Sequence, residues 1–219
     1  MKLTRSICSR EIKRTEVLDA TGEVIGKVTD LTFTFDGNLR LSKFILAGSR
    51  WEEFLESIRI RPDRDPVVDG ALIDQMDNHL HLNTTLDSLK TTLDQDAIGA
   101  DEIRLSQMEK MDIVDKEAKK VGRALAVNFD LDGSVAIIVG GGFIEEKLEA
   151  AGLKADIDII VPGHTIASIA ERIHLNVSED DLKTTMSDAL KSKDIENIRR
   201  EKAVHREVTK VRLFSHRPM

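Results

Sequence analysis

The sequence predicts a mainly β chain: two small antiparallel β-barrels in tandem, each with short helices, followed by a C-terminal helical and basic tail. Three observations predict it. Asp132-Gly133 stands between two apolar runs, Val127–Phe129 and Val135–Val139. Asp-Gly between such runs is a strong hairpin signal, because glycine accepts positive φ and aspartate tolerates it. The same arrangement occurs at Asp36-Gly37, between Leu31–Phe35 and Leu41–Leu46. The third observation is a fixed offset. Val17-Leu18-Asp19, Ile25-Gly26-Lys27, Phe33 and Asp36-Gly37 return as Ile113-Val114-Asp115, Val121-Gly122-Arg123, Phe129 and Asp132-Gly133, each 96 positions on (113 − 17). Trp51–Glu56, His81-Leu82-Asn83 and Leu89–Thr92 return 93 positions on (174 − 81), as Ile144–Glu149, His174-Leu175-Asn176 and Leu182–Thr185.

The first repeat spans residues 1–93. Its opening 15 residues carry Arg5, Arg10, Lys13 and Arg14 around Ile7 and Ile12, and read as a first strand or an irregular arm. Val17 to Val28 reads as strand, turn and strand, with Gly22 in the turn. The second hairpin turns at Asp36-Gly37 and closes at Gly48. Trp51 to Ser57 reads as a short helix, because residues 51, 54 and 55 share one face. Ile58–Pro62 alternates like a strand and stops at proline. A polar loop holds Asp63, Asp65, Pro66 and Asp69. Leu72-Ile73 is a short element, Leu80–Leu82 a strand, and Thr84–Leu93 a helix. Residues 94–103 read as a linker. The second repeat, residues 104–186, follows the same order. Its strand Val135–Val139 is apolar throughout, which predicts burial on both faces. Many short strands with evenly spaced turns suit barrels, and closure removes exposed edges. Residues 187–219 form the tail, with a helix expected over Asp188–Lys202.

Composition narrows the function classes. The 219 residues carry a net charge of −7, which argues against an overall attraction to nucleic acid. No apolar run approaches the ~18 residues that span a membrane. Met1–Arg5 leads into no signal-peptide core, so a cytoplasmic location is expected. The single cysteine, Cys8, leaves no internal disulfide and no multi-cysteine metal site. With no tyrosine and one tryptophan, a platform of stacked aromatics is poorly supplied.

The repeated features, Val-(Val/Leu)-Asp, a turn, (Ile/Val)-Gly-(Lys/Arg), Phe before Asp-Gly and a buried strand, resemble the PRC-barrel family. Gly140-Gly141-Gly142-Phe143 and Asp156–Pro162 extend the likeness in the second repeat. From about Leu105 to Met186 it is similar to archaeal PRC-barrel proteins. The first repeat departs from the pattern, with Gly48 alone for the glycine cluster and a longer connection after Pro62. The resemblance implies binding without chemistry. Family members include the cytoplasmic part of the photosynthetic reaction-centre H subunit and half of a bacterial ribosome-maturation factor. Small archaeal members contact the membrane anchor of the tubulin-like division ring. The resemblance therefore implies a protein–protein adaptor, with cell-division components as partners. Ribosome or RNA association through the tail is the alternative.

Asn128–Gly133 matches the first half of an EF-hand loop, but its twelfth position is Val139 in place of glutamate. A tight hairpin explains it better. Gly140–Gly142 could cradle phosphate, yet no Lys-Ser/Thr follows; a strand-to-helix turn needing positive φ is the simpler reading. His79 and His81 share one strand face, with Asp74 and Asp77 nearby. Zinc takes four ligands and the sequence fixes only two, so they are read as strand-edge histidines. Cys8 carries no sign of activation beyond Arg5 and Arg10. No catalytic residue, cofactor, small-molecule substrate or metal is expected. Trp51, Phe54, Phe143 and Ile144 sit on the inserted helices, either sealing the core or anchoring a partner. In the tail, Arg199, Arg200, Arg206, Lys210 and Arg212 interleave with Val208, Val211, Leu213 and Phe214. That pattern predicts a basic attachment segment for an acidic protein, an anionic membrane surface or RNA. Homodimerisation is open, because tandem copies could satisfy within one chain an interface made elsewhere between chains.

Overall fold

The computed structural model describes residues 2–48, 67–92, 98–150, 157–191 and 209–214. The helix expected over Trp51–Ser57, the strand over Ile58–Pro62 and most of the tail lie outside these residues. The chain divides into two units. One is Met1–Met108 with Asn128–Val135; the other is Glu109–Val127 with Ala136–Met219.

The first unit opens with two short strands, β1 (Lys2–Leu3) and β2 (Ile7–Cys8), and a single helical turn, α1 (Ser9–Ile12). Then come β3 (Glu16–Leu18), β4 (Val24–Phe35), β5 (Leu39–Ala47), β6 (Val67–Asp69), β7 (Ile73–Met76), β8 (Leu80–Leu82), helix α2 (Leu86–Thr92), β9 (Ile103–Arg104) and α3 (Leu105–Met108). The sheet runs β1-β7-β8-β3-β4-β5-β6, with β9 beside β4. Gly37, at φ +95°, turns the β4–β5 hairpin, and Phe35 faces Leu39 across it. Along β4, Ile25, Val28, Leu31 and Phe33 are buried. A bulge between Val28 and Asp30 breaks strict alternation, so Leu31, Thr32 and Phe33 are buried in succession. A bulge adds a residue to one strand and turns the following side chains.

The second unit holds β10 (Asp112–Val114), most of β11 (Lys120–Phe129) and β12 (Val135–Gly140), helix α4 (Gly142–Ala150), β13 (Ile157–Pro162), β14 (Ile166–Ile169), β15 (Ile173–Leu175), helix α5 (Glu179–Lys191) and β16 (Thr209–Arg212). Its sheet runs β14-β15-β10-β11-β12-β13-β16. Six strands stand in the same order as β7-β8-β3-β4-β5-β6. Registers agree too: Val17 faces Gly26 and Ile113 faces Gly122, with a bulge directly after each. Val17 pairs Leu80, and Ile113 pairs Ile173, both in parallel. Val135–Val139 is buried at every position, as the apolar run predicts.

Several features differ from the expected pattern or sharpen it. Among the described residues, each sheet is an open path of pairings, and none joins its two ends. The expected linker is partly built in: Ile103 pairs Phe33, and Glu102 accepts from the Ser42 hydroxyl at 2.6 Å and lies 3.0 Å from the Lys43 ammonium. The opening residues, read as a first strand or an irregular arm, include a strand: Ile7 pairs with Phe129 and Cys8 with Asn128, inside the first unit. There the rings of Phe33 and Phe129 stack, with centroids 6.1 Å apart. The tail also differs. Thr209–Arg212 is a strand parallel to β13, because Val211 and Leu213 alternate with Lys210 and Arg212 and are buried. That is the period of a half-buried strand.

Candidate functional site

A buried carboxylate invites a catalytic reading, and the repeated Asp19 and Asp115 are both buried. Asp115 is 1% exposed. Its Oδ1 accepts from the backbone N–H of Glu117 (2.9 Å) and Lys119 (2.8 Å), and its Oδ2 from Glu179 (2.9 Å). Asp19 does the same: Oδ1 takes Thr21 N, Thr21 Oγ1 and Glu23 N, and Oδ2 takes Leu86 N. Each carboxylate ties the turn after its own strand to the first residue of a helix distant in sequence. Those N–H groups have no partner within their helices, and an anion there also meets the positive end of the helix dipole. Burial alone would push both carboxyls up; the hydrogen bonds outweigh it and leave them below the ordinary aspartate value. The Val-(Val/Leu)-Asp motif is therefore a structural clamp.

The glycine cluster is structural as well. Gly141 and Gly142 have φ of +71° and +58°, the conformation that turns β12 into α4. A Cβ at Gly142 would stand 2.6 Å from the Val121 carbonyl oxygen, and one at Gly122 would stand 2.7 Å from that of Gly140. The EF-hand-like stretch is a hairpin turn. Gly133 N donates to Asp130 O, and Asn128 Nδ2 donates to Ser6 Oγ and to Asp130 Oδ1, both at 3.0 Å. Leu131 at its tip is 65% exposed.

The predicted partner residues divide. Ile144 is core, at 1% exposure, while Phe143 is half-buried and lies under the Lys183 ammonium, 5.7 Å from its ring centre. One residue of that pair points inward and its neighbour outward. Lys210, Arg212 and Phe214 are half-buried on or just after β16. Trp51, Phe54, Arg199, Arg200 and Arg206 lie outside the described residues. Cys8 is buried on β2.

One grouping was only half visible in the sequence. The β7–β8 turn brings Asp77, His79 and His81 together, with one possible ligand atom from each inside 4.8 Å of the others. His81 Nε2 lies 3.2 Å from Asp77 Oδ1, and that oxygen also accepts from the His79 backbone N–H at 2.8 Å. Gln75 Nε2 donates to Asp77 Oδ2 at 2.9 Å. The N–H of His79 foremost, with His81 and Gln75, holds the Asp77 carboxyl down at about 2 despite partial desolvation. Glu16 on β3 adds a second carboxylate, its Oε2 3.9 Å from His79 Nε2. Asp74 is exposed and outside the group. The spacing of His79 and His81 alone suggests a shared strand face, but Asp77 and His79 lie in the turn before β8, and Glu16 arrives through the β3–β8 pairing, which local pattern does not reveal.

No curated protein matches this chain. A solved structure described as a 16S ribosomal RNA processing protein, RimM, from Pseudomonas aeruginosa is similar at 12% identity, covering 69% of this chain and 79% of that one, with a TM-score of 0.26. The model of the PRC-barrel domain matches residues 7–79, which hold the β3–β4–β5 meander, Asp19 and the Asp77–His79 turn. Residues 7–79 are a PRC-barrel domain.

Proposed function

We propose that this chain is a non-enzymatic binding protein. It carries a second copy of the PRC-type module in residues 104–186 and docks on a ribosomal or other RNA-bearing assembly through its C-terminal segment. The PRC-barrel domain at residues 7–79 is the observation that carries the binding reading. The clamp aspartates support it, because the most buried acids of the repeat are occupied by backbone N–H groups. Charge supports the choice of segment. From Arg199 onward there are seven Lys/Arg and two Glu, a net of +5 (7 − 2); the remainder then carries −12 (−7 − 5). Lys210 and Arg212 alternate with buried Val211 and Leu213 on β16, which is an edge strand in the described sheet. Contact with RNA phosphates would thus be local, at one end of an acidic protein.

Salt is the test. Release of counterions makes phosphate binding fall steeply with salt, with a log–log slope of about −0.7 per contact on single strands. Retention of the full chain on ribosomal particles should drop across a potassium chloride series. The R199E/R200E/R206E variant should bind less and show a flatter slope. Retention indifferent to both would refute the reading. The second reading is a cell-division adaptor contacting the membrane anchor of the division ring; what favours it is the half-buried Phe143 beside Lys183 on the module that resembles the archaeal proteins.

A further inference from the structure

We infer that Asp77, His79, His81 and Glu16 form a structural site for a zinc-class divalent cation on the first sheet. Two imidazoles and two carboxylates make a donor set that suits zinc and its first-row neighbours. The donors come from separate places in the fold. Asp77, His79 and His81 span the β7–β8 turn, and Glu16 stands on β3, which pairs in parallel with β8 through Val17–Leu80 and Leu18–His81. Tetrahedral ligands about 2.0–2.1 Å from zinc lie roughly 3.3 Å from one another. His81 Nε2 and Asp77 Oδ1 already stand 3.2 Å apart, and Glu16 Oε2 and His79 Nε2 stand 3.9 Å apart. The three turn residues offer ligand atoms within 4.8 Å of one another, and Glu16 approaches them through His79. Supporting contacts are present too. Gln75 and the His79 backbone N–H orient the Asp77 carboxylate, the role that outer hydrogen bonds play around metal ligands.

The second sheet supplies an internal comparison. Its equivalents are Asp112 for Glu16, Ala170 for Asp77, Arg172 for His79 and His174 for His81, at the offsets of 96 and 93 already given. There the acid on the central strand has fixed cations: Lys120 at 2.8 Å and Arg123 at 3.8 Å, with the charge of Arg172 also acting on it. The first sheet keeps one such neighbour, Lys27 at 3.5 Å from Glu16. Where the second sheet has arginine, the first has imidazole, and it adds an extra carboxylate beside it. Two more ligands and two fewer cations beside the strand acid is the difference expected if a metal ion supplies the positive charge.

Zinc titration of the full chain tests this, followed by calorimetry and by competition with a chromogenic chelator. The expected result is one ion per chain and a higher thermal midpoint with zinc present. His79→Arg copies the second sheet and should keep the fold while removing both effects. His81→Ala should weaken binding by more than the about 10–100-fold typical of losing an outer contact. His164→Ala, distant in sequence and exposed, should change nothing. If H81A fails to fold, H79R alone decides. Absence of saturable one-to-one binding, or binding that H79R leaves intact, overturns the inference.

Discussion

Replacing Asp115 perturbs the molecule at the point where a strand, a turn and a helix are held by one side chain. The carboxylate accepts three backbone N–H bonds of 2.8 to 2.9 Å and is 1% exposed. Hydrogen bonds to a charged group are worth about 1.5–3 kcal/mol each. Three bonds at the low end come to about 4.5 kcal/mol, and because Lys116 to Lys120 are exposed, water recovers part of that at the turn. Asp115→Ala should therefore cost about 3–4 kcal/mol, and Asp115→Asn, which keeps one acceptor but loses the charge, about 2 kcal/mol. In a chain of this size that is a fall of about 6–16 °C in thermal midpoint for the alanine variant. Urea unfolding followed by circular dichroism measures it as a lower midpoint with an unchanged slope. The pH dependence gives a second reading. The folded carboxyl lies below the ordinary aspartate value of 3.8. Its contribution is complete above that ordinary value and is lost as pH falls through the folded one. D115N should show a shallower acid-side loss than the unaltered chain. A D115N variant within about 0.5 kcal/mol of the unaltered chain would refute the clamp, since surface substitutions fall in that range.

Gly142→Ala should destabilise more than Gly133→Ala: both have positive φ, at a cost of about 1–2 kcal/mol, but only Gly142 also drives a Cβ to 2.6 Å from a carbonyl oxygen. Comparative thermal unfolding decides, and equal losses would contradict the close approach. Phe129→Ala should cost about 3–5 kcal/mol, because the ring is 1% exposed and stacks on Phe33; chemical denaturation would show it. Val211→Asp should lower stability by about 2 kcal/mol or more, whereas Lys210→Ser should stay near neutral, if β16 is a strand with Val211 inward.

Much of this was legible because the signals are local. Asp36-Gly37 and Asp132-Gly133 specify hairpins within a few residues, and a constant offset needs only counting. Asp19 and Asp115 were visible as a repeated letter, but their role was not. The distant acceptor–donor pairs, Asp19 with Leu86 and Asp115 with Glu179, depend on where a helix starts after the sheet has folded. The two-residue strands at Ile7–Cys8 and Ile103–Arg104 are too short for any periodicity, which left strand and irregular arm both open for the first and a linker for the second. Thr209–Arg212 was hidden for another reason: four residues carry little of a period-2 signal, and Lys210 and Arg212 give the segment a basic rather than a strand-like composition. The histidine group was half legible for the same cause as the clamps, since the fourth member sits on a strand 61 positions earlier (77 − 16).

The most direct measurement is affinity capture of the full chain from cells that make it, under low salt, with the recovered proteins and RNA identified. Ribosomal particles should be recovered with the full chain and diminished for the R199E/R200E/R206E variant. Recovery of division-ring components without RNA, unchanged by that variant, would contradict it.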